Sequence, residues 1–182
     1  MKRTMLFAFL SLTLVSGVAG AADVGIGAYG GVGVPIVQDD NGRGNVFGVR
    51  VPVSLLPLLT VEPYYASNKG GDKDQVIGGT TITRSGIDVT GFGANALLTF
   101  GGTLKFYPFA GIGSHKLKRT GTEETRTTFN FGLGLGICPP VAKLTIHLRG
   151  ELNAAVKDEA SRKWGTITAG VSYNLVKFPP TP

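Results

Sequence analysis

Hydrophobic and polar residues alternate along much of the chain. In "TFNFGLGLGI", Phe129, Phe131, Leu133, Leu135 and Ile137 hold one parity, while Thr128, Asn130, Gly132, Gly134 and Gly136 hold the other. A period of two puts successive side chains on opposite faces of a β-strand. The same pattern predicts further strands at Val24–Val34, Asn45–Leu55, Leu59–Ser67, Gly86–Phe100, Leu104–His115, Leu144–Val156 and Gly165–Val176. Within Gly86–Phe100 the alternation slips by one near Gly91 to Gly93, which predicts a β-bulge. After the amino-terminal leader no segment keeps a helical period, because Gly or Pro interrupts nearly every window.

The connections alternate in length. "LPL", "GGT" and "CPPVAK" are short, whereas "QDDNGRG", "NKGGDKDQVIGGTTITRS", "KRTGTEETR" and "KDEASRK" are longer, polar and charged. Long loops at one end and short turns at the other fit an outer-membrane barrel with a periplasmic amino terminus. Strands of about 10 to 13 residues suit a tilted span of an apolar band about 25 Å tall.

Pairing through "CPPVAK" places Gly132 opposite Arg149, Gly134 opposite His147 and Asn130 opposite Glu151. Large side chains facing small ones suit a confined lumen, because an eight-stranded interior is just wide enough for side chains to fill. The polar face is therefore expected inside and the Phe/Leu/Ile face against lipid. Arg50, Glu62, His147, Arg149 and Glu151 are expected to form a lumen charge network, with Arg149 partnered by Glu151 and Arg50 diagonal to Glu62 across the "LPL" turn. Tyr64 and Tyr107 complete the filling. His147, Arg149 and Glu151 on one strand face could also supply a base, a cation and a carboxylate, but buried charges need partners whether or not they do chemistry.

The 28 glycines, 16% charged residues and mean hydropathy of +0.17 agree with alternating strands rather than apolar helices. "MKRTMLFAFLSLTLVSGVAGAA" reads as a secretory leader, with Lys2 and Arg3, an apolar run from Met5 to Val15, and Ala19 and Ala21 in a small-x-small cleavage pattern. The apolar run is shorter than the roughly 20 residues of a spanning helix. Residues 1–21 are thus expected to be a signal peptide and 22–182 one barrel domain. Cys138 is the single cysteine, so no intramolecular disulfide forms, and it is expected to be an unreactive turn residue. The net charge of +6 includes Lys2 and Arg3 and is too scattered for a nucleic-acid patch.

Near the carboxyl end, "TAGVSYNL" spaces Thr168, Gly170, Tyr173 and Leu175 in a way that resembles the β-signal of outer-membrane barrels, although Phe178 and "PPTP" follow where many such proteins end. With the leader, the glycine-aromatic strands and "FYPFAGIG", the chain resembles the OmpA/OmpX-type small outer-membrane β-barrel superfamily. That resemblance implies an all-β fold, an eight-stranded antiparallel up-and-down transmembrane barrel in a Gram-negative outer membrane. It also implies a barrel-assembly machinery as partner during insertion, with no cofactor. The superfamily includes adhesins, structural proteins and lipid-modifying enzymes, and the expected role here is non-enzymatic, structural or surface-interacting. Lipid A deacylases among them use a lipid-facing His and Ser with an acid nearby, whereas adjacent Ser114 and His115 fall on opposite faces. There is also no zinc cluster, phosphate loop or G-x-S-x-G turn. A lipid-modifying outer-membrane enzyme is accordingly one alternative, and a soluble, lipocalin-like periplasmic barrel with an apolar interior is the other.

Lys116, Lys118, Arg119, Arg126, Lys157, Arg162 and Lys163 lie in charged connections with Glu123, Glu124, Asp158 and Glu159. These cations are candidates for contact with the phosphates of lipopolysaccharide. No motif identifies another surface ligand.

Overall fold

The alternating segments become strands, and the strands close into a ring. A computed structural model describes residues 23–36, 42–139, 143–156 and 161–176. In chain order the strands are β1 (Asp23–Pro35), β2 (Gly42–Arg50), β3 (Val53–Ser54), β4 (Leu59–Gly71), β5 (Lys73–Ile77), β6 (Thr80–Arg84), β7 (Asp88–Leu98), β8 (Phe100–Gly101), β9 (Leu104–Arg119), β10 (Thr122–Ile137), β11 (Leu144–Ala155) and β12 (Arg162–Val176). The barrel order is β1, β2, β4, β7, β9, β10, β11, β12 and back to β1, antiparallel throughout. The short β3 continues β2 beyond a break at Val51 and Pro52, and β8 folds back on β9. The result is a closed eight-stranded barrel, without the open edges that invite aggregation.

The faces are assigned by exposure. Leu133 and Leu148 are 56% and 54% exposed, whereas Glu62 and Arg149 are 2% and 5% exposed. Apolar residues therefore form the outer wall. Aromatic side chains mark both of its rims: Tyr65 pairs with Phe92 toward the end bearing the longer connections, and Phe100 pairs with Phe106 at the short-turn end, where Tyr173 also faces outward. Aromatic girdles flanking an apolar band are the mark of a transmembrane barrel.

Several expectations are corrected. No bulge interrupts β7: its pairing with β4 and β9 is continuous from Val89 to Leu97. The apparent slip arises because Val89 and Leu97 are apolar residues on the inward face. Register across β10 and β11 is shifted by two, since Ile137 pairs with Ile146; Gly132 thus faces Glu151, Gly134 faces Arg149, Gly136 faces His147, and Asn130 faces Asn153. Parity, and with it the face assignment, survives a two-residue shift.

Two of the connections expected as loops are strand. "KRTGTEETR" extends β9 and β10 into a hairpin closed by Thr120 and Gly121, the glycine taking a φ of 76°. The long loop after β4 contains a separate hairpin, β5 and β6, turning at Gly78 and Gly79 with φ values of 59° and 81°. Two consecutive positive-φ residues make the turn whose twist matches a tight hairpin, and only glycine adopts that conformation without strain.

The lumen is not wholly polar. Ile87, Val89 and Leu117 cluster with Trp164 toward the long-connection end, and Leu97, Tyr107 and Phe109 form a second cluster.

Candidate functional site

Inward parity on β2, β4 and β11 brings Arg50, Glu62, Arg149 and Glu151 into one layer. Arg149 on β11 donates from Nη1 to Glu62 Oε1 at 2.6 Å and from Nη2 to Glu62 Oε2 at 2.7 Å, across the barrel from β4. Arg50 Nε lies 3.9 Å from Glu62 Oε2. Asn95 Nδ2 also donates to Glu62, at 3.4 Å. The expected partnership of Arg149 with Glu151 is therefore replaced by one with Glu62. Side chains two apart on a strand share a face but extend in parallel, whereas a residue across a narrow lumen meets the guanidinium head-on. Glu151 is instead hydrogen-bonded by Asn130 and Asn153. The Arg149 guanidinium carbon also sits 4.9 Å from the Tyr107 ring centroid and 5.2 Å from that of Phe109, and Arg50 stands 5.0 Å from Tyr29. Such stacking uses the flat cation's weakly hydrated faces.

His147 belongs to a row of hydrogen bonds. Arg149 Nε can only donate, and it does so to the Tyr107 hydroxyl at 3.1 Å. The Tyr107 hydroxyl also lies 2.8 Å from His147 Nδ1 and 3.5 Å from the Leu135 carbonyl, to which it can donate. On its other side, His147 Nε2 lies 2.7 Å from Ser172 Oγ. The row ties β9, β11 and β12 to one another inside the lumen.

Above this layer, Arg50 Nε, Tyr64 Oη, Asn68 Oδ1 and His115 Nδ1 have no protein hydrogen-bond partner and border a polar cavity of about 40 Å³. Such a space suits one or two ordered waters. Below the layer the lumen widens into a cavity of about 620 Å³ at the short-turn end.

Glycines make room for these side chains. A Cβ on Gly134 would collide with the Tyr107 ring, and one on Gly170 would meet Tyr29 Cβ at 2.6 Å and Arg50 Nη2 at 2.9 Å. Of the four carboxyl-end positions that resemble a β-signal, Thr168 and Gly170 face inward while Tyr173 and Leu175 face outward.

The loop cations separate by parity. Lys116, Lys118 and Lys163 point outward, whereas Arg119, Arg126 and Arg162 share the inward parity of Leu117, Thr128 and Trp164. Arg126 pairs with Glu124. Lys157 lies outside the described residues. Just above the apolar wall, Asp88, Lys118 and Glu123 are successive cross-strand neighbours on β7, β9 and β10, and Lys69 stands beside Asp88 on β4. Lys116 is 2.5 Å from Glu123, and its ammonium holds that carboxyl below the usual carboxylate range. Arg43 adds an outward cation on β2.

The chain matches the family described as "Outer membrane protein beta-barrel domain" over residues 5–175. It belongs to that family. Among solved structures it is similar to Neisserial surface protein A (NspA), with a TM-score of 0.63 and 14% identity over 86% of this chain and 99% of that one. It is likewise similar to the N-terminal β-barrel domain of OprF from Pseudomonas aeruginosa, with a TM-score of 0.54 and 16% identity over 86% and 98%. A major outer membrane protein from Thermus thermophilus gives a TM-score of 0.56 and 13% identity over 84% and 99%. No match is found among curated proteins. Family membership and the apolar outer wall make this an outer-membrane β-barrel protein.

Ser114 and His115 of this outer-membrane barrel fall on opposite faces, as their adjacency requires, with His115 buried in the lumen. The contact between Ser172 and His147 escapes a reading of adjacent residues because the two lie on neighbouring strands, β11 and β12. Matching inward parity was the available signal. Among the described residues no His/Cys/Asp/Glu cluster could hold a metal ion.

Proposed function

We propose that the protein is a non-catalytic component of the outer membrane whose outward rim holds the phosphates of lipopolysaccharide. The carrying observation is the outward row of Lys69, Lys116 and Lys118 directly above the apolar wall, with Arg43 and Lys163 farther round the rim. Asp88 and Glu123 space these lysines and reduce their mutual repulsion, while their ammonium groups remain within reach of fixed anions at headgroup level. Arg119, Arg126 and Arg162 leave the proposed contact set because they share the inward parity. A non-catalytic role is supported by Ser114 and His115 facing opposite ways, which keeps this serine and histidine from meeting on the lipid-facing wall.

The test is binding of purified, detergent-solubilised protein to lipopolysaccharide and to its dephosphorylated form. The expected result is weaker binding of the dephosphorylated form and of the Lys116→Gln/Lys118→Gln variant, with affinity falling as salt rises. Equal binding of both forms by wild type would remove the proposal. For insertion, Thr168, Gly170, Tyr173 and Leu175 are the segment we assign to the barrel-assembly machinery, so Tyr173→Ala should slow assembly in cells more than spontaneous folding in vesicles.

A further inference from the structure

The cavity of about 620 Å³ at the short-turn end is within the size range of small-molecule sites, roughly 300 to 1,000 Å³. It is blind. Arg149, Glu62 and Tyr107 close its floor, so a molecule enters and leaves by the periplasmic mouth.

Its walls differ in charge. Lys105 on β9, Thr145 and His147 on β11, and Ser172 on β12 line one side. The first three converge on Gly136, where an added Cβ would lie 3.3 Å from Thr145 Cγ2, 3.5 Å from His147 Nδ1 and 3.6 Å from Lys105 Cβ. Asp23, on β1, stands four strands from Lys105 around the ring and on the strand next to β12. Glu62 on the floor is already held by Arg149. Among the described residues no carboxylate lies within ion-pair distance of Lys105, although its side chain is half-buried.

The hydrogen-bond row gives this wall a second property. The Ser172 hydroxyl, 2.7 Å from His147 Nε2, lines the cavity and has both donor and acceptor capacity. We infer that this periplasm-facing cup binds a small, hydroxyl-bearing organic anion of monosaccharide size, its carboxylate or phosphate held by Lys105 and Ser172. Thr145 and, on the far side, Ser54 and Thr99 meet the ligand's hydroxyls.

The experiment is a titration of the isotope-labelled barrel in lipid nanodiscs, followed by amide chemical shifts. Glucose 6-phosphate and glucuronate are the charged probes, and glucose is the neutral control. Saturable shifts at Lys105, Thr145, His147 and Ser172 are expected with at least one anion, and the tighter one identifies phosphate or carboxylate as the preferred group. Glucose should bind about tenfold more weakly or worse, as should either anion to Lys105→Met, since a hydrogen bond to a charged group is lost in each case. Lys105→Arg should retain binding. Ser172→Ala, which keeps every charge, should weaken the anion without abolishing it. Failure of both anions to saturate, equal affinity for glucose, or undiminished binding by both Lys105→Met and Ser172→Ala would overturn the inference.

Discussion

Arg149 and Glu62, 87 positions apart in the chain, meet across the lumen through two parallel hydrogen bonds of 2.6 and 2.7 Å. The pair joins β4 to β11, which are not neighbours in the ring, so it exists only once the barrel has closed. Bidentate geometry offsets part of the desolvation cost of burying two charges, and Asn95 and Tyr107 satisfy further polar valences.

Removing one partner leaves the other charged and buried. Arg149→Met and Glu62→Gln should each destabilise the barrel by about 3 to 5 kcal/mol, and the double variant should recover much of that loss. Urea-induced unfolding in lipid vesicles measures the cycle. Arg149→Met combined with Glu151→Gln should show weaker coupling, because Glu151 is held by Asn130 and Asn153 instead.

Gly134 and Gly150 lie on adjacent strands and face opposite ways. A methyl on Gly134 enters the Tyr107 ring, while one on Gly150 meets nothing within 4 Å. Gly134→Ala should cost about 1 to 3 kcal/mol through overpacking. Gly150→Ala should fold like wild type in the same vesicle assay. Leu133→Arg, on the lipid face, should cost about 2 to 4 kcal/mol at mid-bilayer for a different reason, the burial of a cation in hydrocarbon.

Conduction should be slight. The Arg149–Glu62 layer closes the lumen once, and Ile87, Val89 and Leu117 with Trp164 close it again toward the extracellular end. Planar-bilayer recordings should show rare, small events for wild type and for Trp164→Ala, which leaves the charged layer intact. Stable large currents from either would contradict the closed lumen.

Strand number, order and facing were legible because a period of two is printed directly in residues such as those from Thr128 to Ile137. Register was not. The stretch from Cys138 to Thr145 separates paired Ile137 from Ile146, and nothing in "CPPVAK" fixes a turn type that would set the pairing. The partner of Arg149 was hidden for another reason, since a contact between β4 and β11 depends on closure rather than on neighbouring sequence. Inward Val89 and Leu97 mimic a bulge in the sequence because they set apolar residues on the lumen parity, where they pack into small clusters. The hairpin of β5 and β6 carried its signal in Gly78 and Gly79, which the surrounding charged residues masked.

Trp164 is the chain's one tryptophan and faces the lumen, packed against Ile87, Val89 and Leu117, with its ring 6.3 Å from that of His115. It therefore reports directly on whether the polar face is enclosed and the apolar face meets lipid. The measurement is tryptophan fluorescence in vesicles of lipids brominated along the acyl chains, comparing wild type with a Trp164→Phe/Leu133→Trp variant. Weak quenching of Trp164 and strong quenching of the tryptophan placed at position 133 are the expected result. Strong quenching of Trp164 with protection at position 133 would mean that the faces are reversed.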